Sequence, residues 1–145
     1  YPPLVTAAPS NPGLKATWHE FKGNKCSEIE KAPVNGTYPV EDVMIPKKVK
    51  GNIGLIIKGY FNAPQDDIYT FALLSDDGST LTIDSEQIVD NDGPHGPKEI
   101  VGQKALAKGY HPMELRYFDQ NGGQLKLKVT GSDGKEIPFT HLYAH

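Results

Sequence analysis

A single cysteine, Cys26, stands among 145 residues. No disulfide can therefore form within the chain, and cysteine usage does not fix the redox compartment. Cys26 has no recognisable nucleophile context and reads as a small buried or semi-buried residue. The sequence lacks any apolar run long enough for a membrane span, and no secretory-leader pattern opens it. Positive charge is scarce too. The net charge is −3, and the longest basic cluster, Lys47-Lys48-Val49-Lys50, is too small to build the concentrated basic surface that phosphates require. Nucleic acid and acidic membrane surfaces are thereby excluded as partners. No segment sustains a helical apolar period over three turns. The nearest, KEIVGQKALAKG at 98–109, carries Gly102 and ends at Gly109. No internal repeat is present, and neither a Ser-His-Asp nor a Cys-His arrangement offers itself. Histidines 19, 95, 111, 141 and 145 have no zinc-like spacing, and isolated histidines are more often structural than ligands.

Turn formers are abundant instead: 15 Gly and 12 Pro in a chain that is 37% hydrophobic. That composition describes one soluble domain with many turns and few helices. Residues 1–13, rich in Pro, Ser and Ala, read as a linker or the remnant of a preceding module, and 14–145 as a single domain. Strands are expected at 14–21, 54–61, 67–75, 79–84, 86–90, 111–119 and 124–131. Residues 22–50, broken at Pro33, Pro39 and Pro46, are expected to be mostly irregular. Asn35-Gly36-Thr37 matches a glycosylation sequon, but Asn-Gly is first a turn dipeptide. Leu81 and Ile83 share one face of their strand, as do Met113, Leu115 and Tyr117 of theirs and Leu125, Leu127 and Val129 of the last. Gln120-Asn121-Gly122-Gly123 between the last two strands is a hairpin signal. Short alternating segments at turn-punctuated intervals make the fold all-β, an antiparallel two-sheet β-sandwich or barrel.

The chemistry-bearing stretch is LLSDDGSTLTID, 73–84. A catalytic carboxylate pair must face a substrate bond from two sides, roughly 5–10 Å apart. Neighbours on an extended chain point to opposite faces, so Asp76 and Asp77 cannot clamp one bond in that way. Calcium, which takes several hard oxygens, suits them better. Both could reach one ion only across an unusual backbone, such as a cis or strongly bent peptide. The plain alternative is that Asp-Asp-Gly-Ser turns the chain, and Asp66-Asp67 is a second such pair in an evident turn. A third acidic stretch, Asp90-Asn91-Asp92-Gly93, imitates the start of an EF-hand loop. It fails as one, because the twelfth position is Val101 where a bidentate Glu is needed. It reads as a polar loop that can line a site together with His95.

Several motifs stand in a recognisable order: Tyr69-x-Phe71, Ser75-Asp76-Asp77-Gly78-Ser79, Leu81-x-Ile83-Asp84, Asp92-Gly93-x-His95, Gly109-Tyr110-His111-Pro112, and Tyr117-Phe118 followed by Gly123-x-Leu125. Over residues 14–143 the chain resembles the PA-fourteen domain, the β-sandwich module named after the anthrax protective antigen and known from yeast flocculins and bacterial glycosidases. It departs where Asp67-Ile68 replaces the family's usual Asp-Gly. The resemblance implies a two-sheet sandwich with its ligand loops at one end. In sugar-binding members a cis-linked Asp-Asp unit holds a calcium ion that coordinates glycan hydroxyls. Asp76 and Asp77 match that unit, so Ca2+ is the implied cofactor. Asp119 and Asn121 match the second ligand loop, and Asn91, Asp92 and His95 are placed to close the edge that selects the sugar. The function so implied is a non-catalytic carbohydrate-binding or substrate-shaping module. It would belong to an exported, glycan-degrading multidomain protein, extracellular, at the cell surface or periplasmic. Its partners would be a glycan and a neighbouring domain of the same chain. The competing expectation is a structural or adhesive spacer that binds neither metal nor sugar.

Overall fold

The computed structural model describes residues 11–120, 122–138 and 142–143. They form strands β1 (Leu14–Glu20), β2 (Val34–Val40), β3 (Asn52–Ala63), β4 (Asp67–Asp76), β5 (Ser79–Ile83), β6 (Glu86–Asn91), β7 (Lys98–Leu106), β8 (Gly109–Gln120), β9 (Gln124–Thr130), β10 (Glu136–Ile137) and β11 (Leu142–Tyr143), with a 3₁₀ helix at Cys26–Lys31. The larger sheet runs β2-β1-β3-β8-β5-β6, with β11 also on β3, and the smaller runs β10-β9-β4-β7. All pairings are antiparallel. The fold is the expected all-β two-sheet sandwich.

Alternation creates the core. Tyr69, Phe71 and Leu73 of β4 point inward from the smaller sheet, and all three are fully buried. They meet Leu81, Ile83, Met113, Leu115 and Tyr117 of the larger one in a single apolar cluster. Phe61 of β3 bridges the sheets edge-on, with its ring centroid 5.3 Å from Tyr69 and 5.6 Å from Phe71. Such ring pairs add about 0.5–1.5 kcal/mol beyond their burial. In β3 the run Ile53-Gly54-Leu55-Ile56-Ile57 is buried on both faces. The outer face is covered by a second cluster of Phe21, Cys26, Ile29, Ile56 and Phe118, so this strand reads as a continuous apolar run.

Four expectations are corrected. Residues 22–50 hold a 3₁₀ helix and a strand, β2, which lies at the end of the larger sheet. Pro39 is tolerated there because an edge strand has one side without a ladder partner. Asn35-Gly36 lies inside that strand, where Gly36 pairs with Trp18, and does not turn the chain. Residues 98–106 are an edge strand, in which Gly102 lets the backbone of Ile88 approach to a distance that a Cβ would block. Lastly, β8 and β9 do not form a hairpin. β8 pairs with β3 and β5, and β9 with β4 and β10, so the chain crosses from one sheet to the other between them. Residues 1–10 of the expected linker lie outside the described residues. Pro12 bridges to Tyr143 and the Gly13 N–H donates to Leu142 O at 2.8 Å, which ties these two positions to the domain.

The crossings position the site. β4 passes to β5 through Asp77 and Gly78, β6 to β7 through residues 92–97, and β8 to β9 through 121–123. The registers Ser79↔Asn91, Ser79↔Tyr117 and Asp76↔Gln124 bring all three crossings to one end of the sandwich.

Candidate functional site

Asp76 ends β4, and the Asp76-Asp77 peptide bond is cis. Asp119 lies near the end of β8, opposite Ile53 on β3. One carboxylate oxygen each from Asp76, Asp77 and Asp119 lies within 4.8 Å of the others. Asp119 is buried, with 4% of its surface exposed, while Asp76 and Asp77 are half-buried.

A web of hydrogen bonds holds this turn. Ser75 Oγ donates to Asp77 O at 2.8 Å and shares a hydrogen bond with Ser79 Oγ at 2.6 Å. Tyr117 Oη donates to Asp76 O at 2.7 Å, and the Phe118 N–H donates to Gly78 O at 3.0 Å. Asp77 accepts from the His95 N–H on Oδ1 and from the Gln120 N–H on Oδ2, both at 3.2 Å. Two glycines allow the close approach. A Cβ on Gly78 would lie 2.7 Å from Gly93 N, and one on Gly123 would lie 2.8 Å from Asp119 Cγ and closer still to Asp76 O and Tyr117 Oη.

Among the described residues, ion pairs form at Lys58, Lys104, His111 and Arg116, and none reaches these three carboxylates. Burial, the Asp77 charge and the Asp76 charge hold the Asp119 carboxyl above its usual range, against an opposing N–H from Gly122. Burial and then the same acids push the Tyr117 phenol up. The Asp66-Asp67 pair behaves in the opposite way. Asp67 accepts from the Ser132 and Ile68 N–H groups, and the Ser132 donors hold its carboxyl below the usual range. Asp66 accepts from the Lys108 N–H at 2.8 Å. Both pairs accept from backbone N–H groups, but Asp76-Asp77 also has a third carboxylate, Asp119, beside it.

Converging hard oxygens suit a calcium-like cation, which takes 6–8 of them at about 2.3–2.6 Å. With no nitrogen or sulfur in the cluster, the donor set does not suit zinc. Carbonyls, waters or hydroxyls of a ligand would complete the shell.

The other sequence-derived positions fare differently. Asn121 lies outside the described residues. Asn91 is only 2% exposed, and its amide donates to Leu73 O, Ser75 Oγ and Lys98 O. It ties β6 to β4 and β7 from inside and does not reach the surface edge expected of it. Asp92 accepts from the Cys26 and Gly93 N–H groups, fastening its loop to the 3₁₀ helix. His95 sits beside the acids with its ring nitrogens 2.7 Å from Gly96 O and 2.7 Å from Asn91 O. His95 reaches Asp77 through its backbone N–H, and Asp92 holds the loop that carries it. Cys26 is buried as expected, and burial pushes its thiol up. His19 and His111 are buried structural residues, bonded to Ala32 O and to Asp84. The sequence reading gave Tyr117, Ser75, Gly78 and Gly123 no part in the site. All four stand in the motifs that carry the resemblance, but Gly122-Gly123 was read as part of a hairpin.

Comparison with curated protein sequences gives no match. Among solved structures, the chain is similar to a PA14 sugar-binding domain from an RTX adhesin, with TM-score 0.77 and 17% identity over 94% of this chain and 100% of that one. It is also similar to the A domain of Epithelial Adhesin 6 from Candida glabrata, solved with Galβ1-3GlcNAc, with TM-score 0.68 and 14% identity over 97% and 89% of the two chains. A β-glucosidase from Kluyveromyces marxianus, solved with glucose, matches with TM-score 0.64 and 17% identity over 83% of this chain but 16% of its own length. The PA14 domain family matches residues 10–139. With that match spanning nearly the whole sequence, and the sandwich shared with PA14 domains of solved structure, the chain belongs to the PA14 domain family.

Proposed function

We propose that this domain is a non-catalytic, calcium-dependent carbohydrate-binding module. The observation that carries the proposal is the convergence of Asp76, Asp77 and Asp119 at the end of the sandwich, where no ion pair among the described residues reaches them. A buried carboxyl held above its usual range by burial and two neighbouring charges, as Asp119 is, gains from a divalent cation that removes the repulsion. When bound, calcium would supply open coordination positions for vicinal sugar hydroxyls. The protein's own part is to fix the acids. Tyr117 and Ser75 hold the backbone of the turn, the His95 and Gln120 N–H groups orient the Asp77 carboxylate, and Asp119 supplies the third side from β8.

Support also comes from the sugar-binding RTX adhesin domain and the disaccharide-bound adhesin of Candida glabrata that share this fold. A polypeptide that exports this domain and carries a glycan-degrading unit beside it fits the β-glucosidase, of which a similar domain is a small part. A second reading has its own observation. Ile68 and Val101 lie on the outer face of the smaller sheet, 48% and 54% exposed, and would suit a spacer packed on a neighbouring domain. The two readings part on a glycan array probed with calcium and with chelator. A binding module retains glycans only with calcium and loses them in Asp76→Asn/Asp77→Asn. No retention at all would overturn the module and favour the spacer, whereas retention that ignores both chelator and substitution would overturn the calcium site.

A further inference from the structure

The end of the larger sheet that carries the carboxylates also carries a groove of about 440 Å3. It lies where β1 ends and where β2 and β3 begin, and its walls include Trp18, Glu20, Pro33, Asn35, Lys50 and Asn52. Strand register fixes its place relative to the acids. Glu20 pairs with Ile53, and Ile53 with Asp119. Trp18 likewise pairs with Leu55, and Leu55 with Tyr117. Glu20 therefore stands level with Asp119 on the same sheet face, two strand spacings away. That is about 10 Å, the span of a disaccharide and more than one ring. The connection is continuous. Asn52 pairs with Gln120, whose N–H donates to Asp77 Oδ2.

The lining chemistry suits a sugar. Trp18 is half-buried and packs on the main core, so its indole offers a fixed apolar wall. Its Nε1–H is buried and has no acceptor among the described residues. Asn35 donates to Glu20 Oε1 at 3.0 Å, which sets an amide and a carboxylate side by side. Asn52 adds a second, exposed amide. Planar amides and carboxylates beside one aromatic wall are the groups that orient a pyranose in an otherwise shallow cleft. Lys22 and Lys50 against Glu20 leave the groove with a single net positive charge.

We infer that this groove is a second subsite for the same glycan. It would seat a hexose of an unbranched oligosaccharide about two residues along from the one at Asp76, Asp77 and Asp119. The inference rests on the carbohydrate-binding reading of that first site and assigns the ligand a minimum length.

Trp18 is the sole tryptophan, so its emission reports the groove directly. Calcium-loaded protein is titrated with glucose and galactose, and with unbranched gluco- and galacto-oligosaccharides of increasing length, followed by calorimetry and fluorescence. The expected result is an affinity gain of about tenfold between monosaccharide and the longest chains, the worth of an added hydrogen bond and a ring contact. Only the longer chains shift the Trp18 emission. Asn52→Ala and the packing-conserving Trp18→Phe each reduce the longest chain towards monosaccharide affinity by calorimetry. Monosaccharide binding with no gain from length, or a gain that survives both substitutions, would overturn the subsite and leave the first site standing. If no saccharide of any length binds with calcium, the first site falls and the subsite with it.

Discussion

Gly123 offers a sharp test of how the acidic site is built. It lies on the crossing from β8 to β9, and a Cβ there would lie 2.8 Å from Asp119 Cγ and overlap Asp76 O and Tyr117 Oη more severely. Neither of the last two can move aside cheaply. One is backbone at the Asp76-Asp77 turn, and the other belongs to a fully buried tyrosine. Overpacking of this kind costs about 1–3 kcal/mol, and disrupting the Tyr117–Asp76 hydrogen bond adds about 1 kcal/mol. Gly123→Ala is thus expected to lose about 2–4 kcal/mol, which lowers Tm by roughly 5–15 °C in a domain of this size. It should also lose most of its calcium response, because the overlap pushes Asp76 and Asp119 apart. Gly134→Ala is the control. Gly134 lies between β9 and β10 and has φ +81° with open space around it, so alanine there costs about 1–2 kcal/mol of backbone strain and leaves the carboxylates where they are. Thermal melting with calcium and with chelator reads both quantities. A Gly123→Ala protein that melts within a degree of wild type and keeps its calcium shift would refute the reasoning.

Two further substitutions probe the same cluster from other sides. Tyr117→Phe keeps the buried ring but leaves Asp76 O without its donor, and a lower denaturant midpoint corresponding to about 1–2 kcal/mol is expected. Asp119→Asn acts with opposite sign in the two states. Because the folded protein holds the Asp119 carboxyl above its usual range, the ionised form opposes folding without metal, and that penalty grows as pH rises through the raised pKa. Asparagine removes the penalty, so at neutral pH the chelated variant should melt above chelated wild type while gaining less from calcium. A variant that melts lower under chelator and gains as much as wild type would contradict the charge argument.

Much of this was legible in the sequence, for identifiable reasons. In β5 and along most of β8 apolar residues recur at every second position because one face of each packs on the core, so Leu81, Ile83, Met113, Leu115 and Tyr117 were readable as inward positions. β2 was hidden by Pro39 and by Asn35-Gly36, residues that an edge position accommodates. The crossing at 121–123 was hidden for a deeper reason. β8 and β9 alternate alike whether they pair with each other or lie in opposite sheets, and a Gly-Gly loop serves either connection. That misreading is also why Gly123 looked like turn chemistry when it forms the floor beneath Asp76 and Asp119. Adjacency of the two acids carried little by itself, since Asp66-Asp67 looks the same on paper. What separates the pairs is the third carboxylate, Asp119, beside Asp76 and Asp77. Asn91 sat in an Asp/Asn-rich loop that looked solvated, yet it ends β6 facing inward, where its amide links three backbone segments.

Calorimetric titration of calcium into the chelator-treated protein, alongside Asp76→Asn/Asp77→Asn, tests the central claim most directly. The account predicts one saturable site with Kd of roughly 10 μM to 1 mM, the range of sensor-to-extracellular calcium modules, and its loss in the double variant. No saturable heat in wild type, or the same isotherm in the variant, would contradict it.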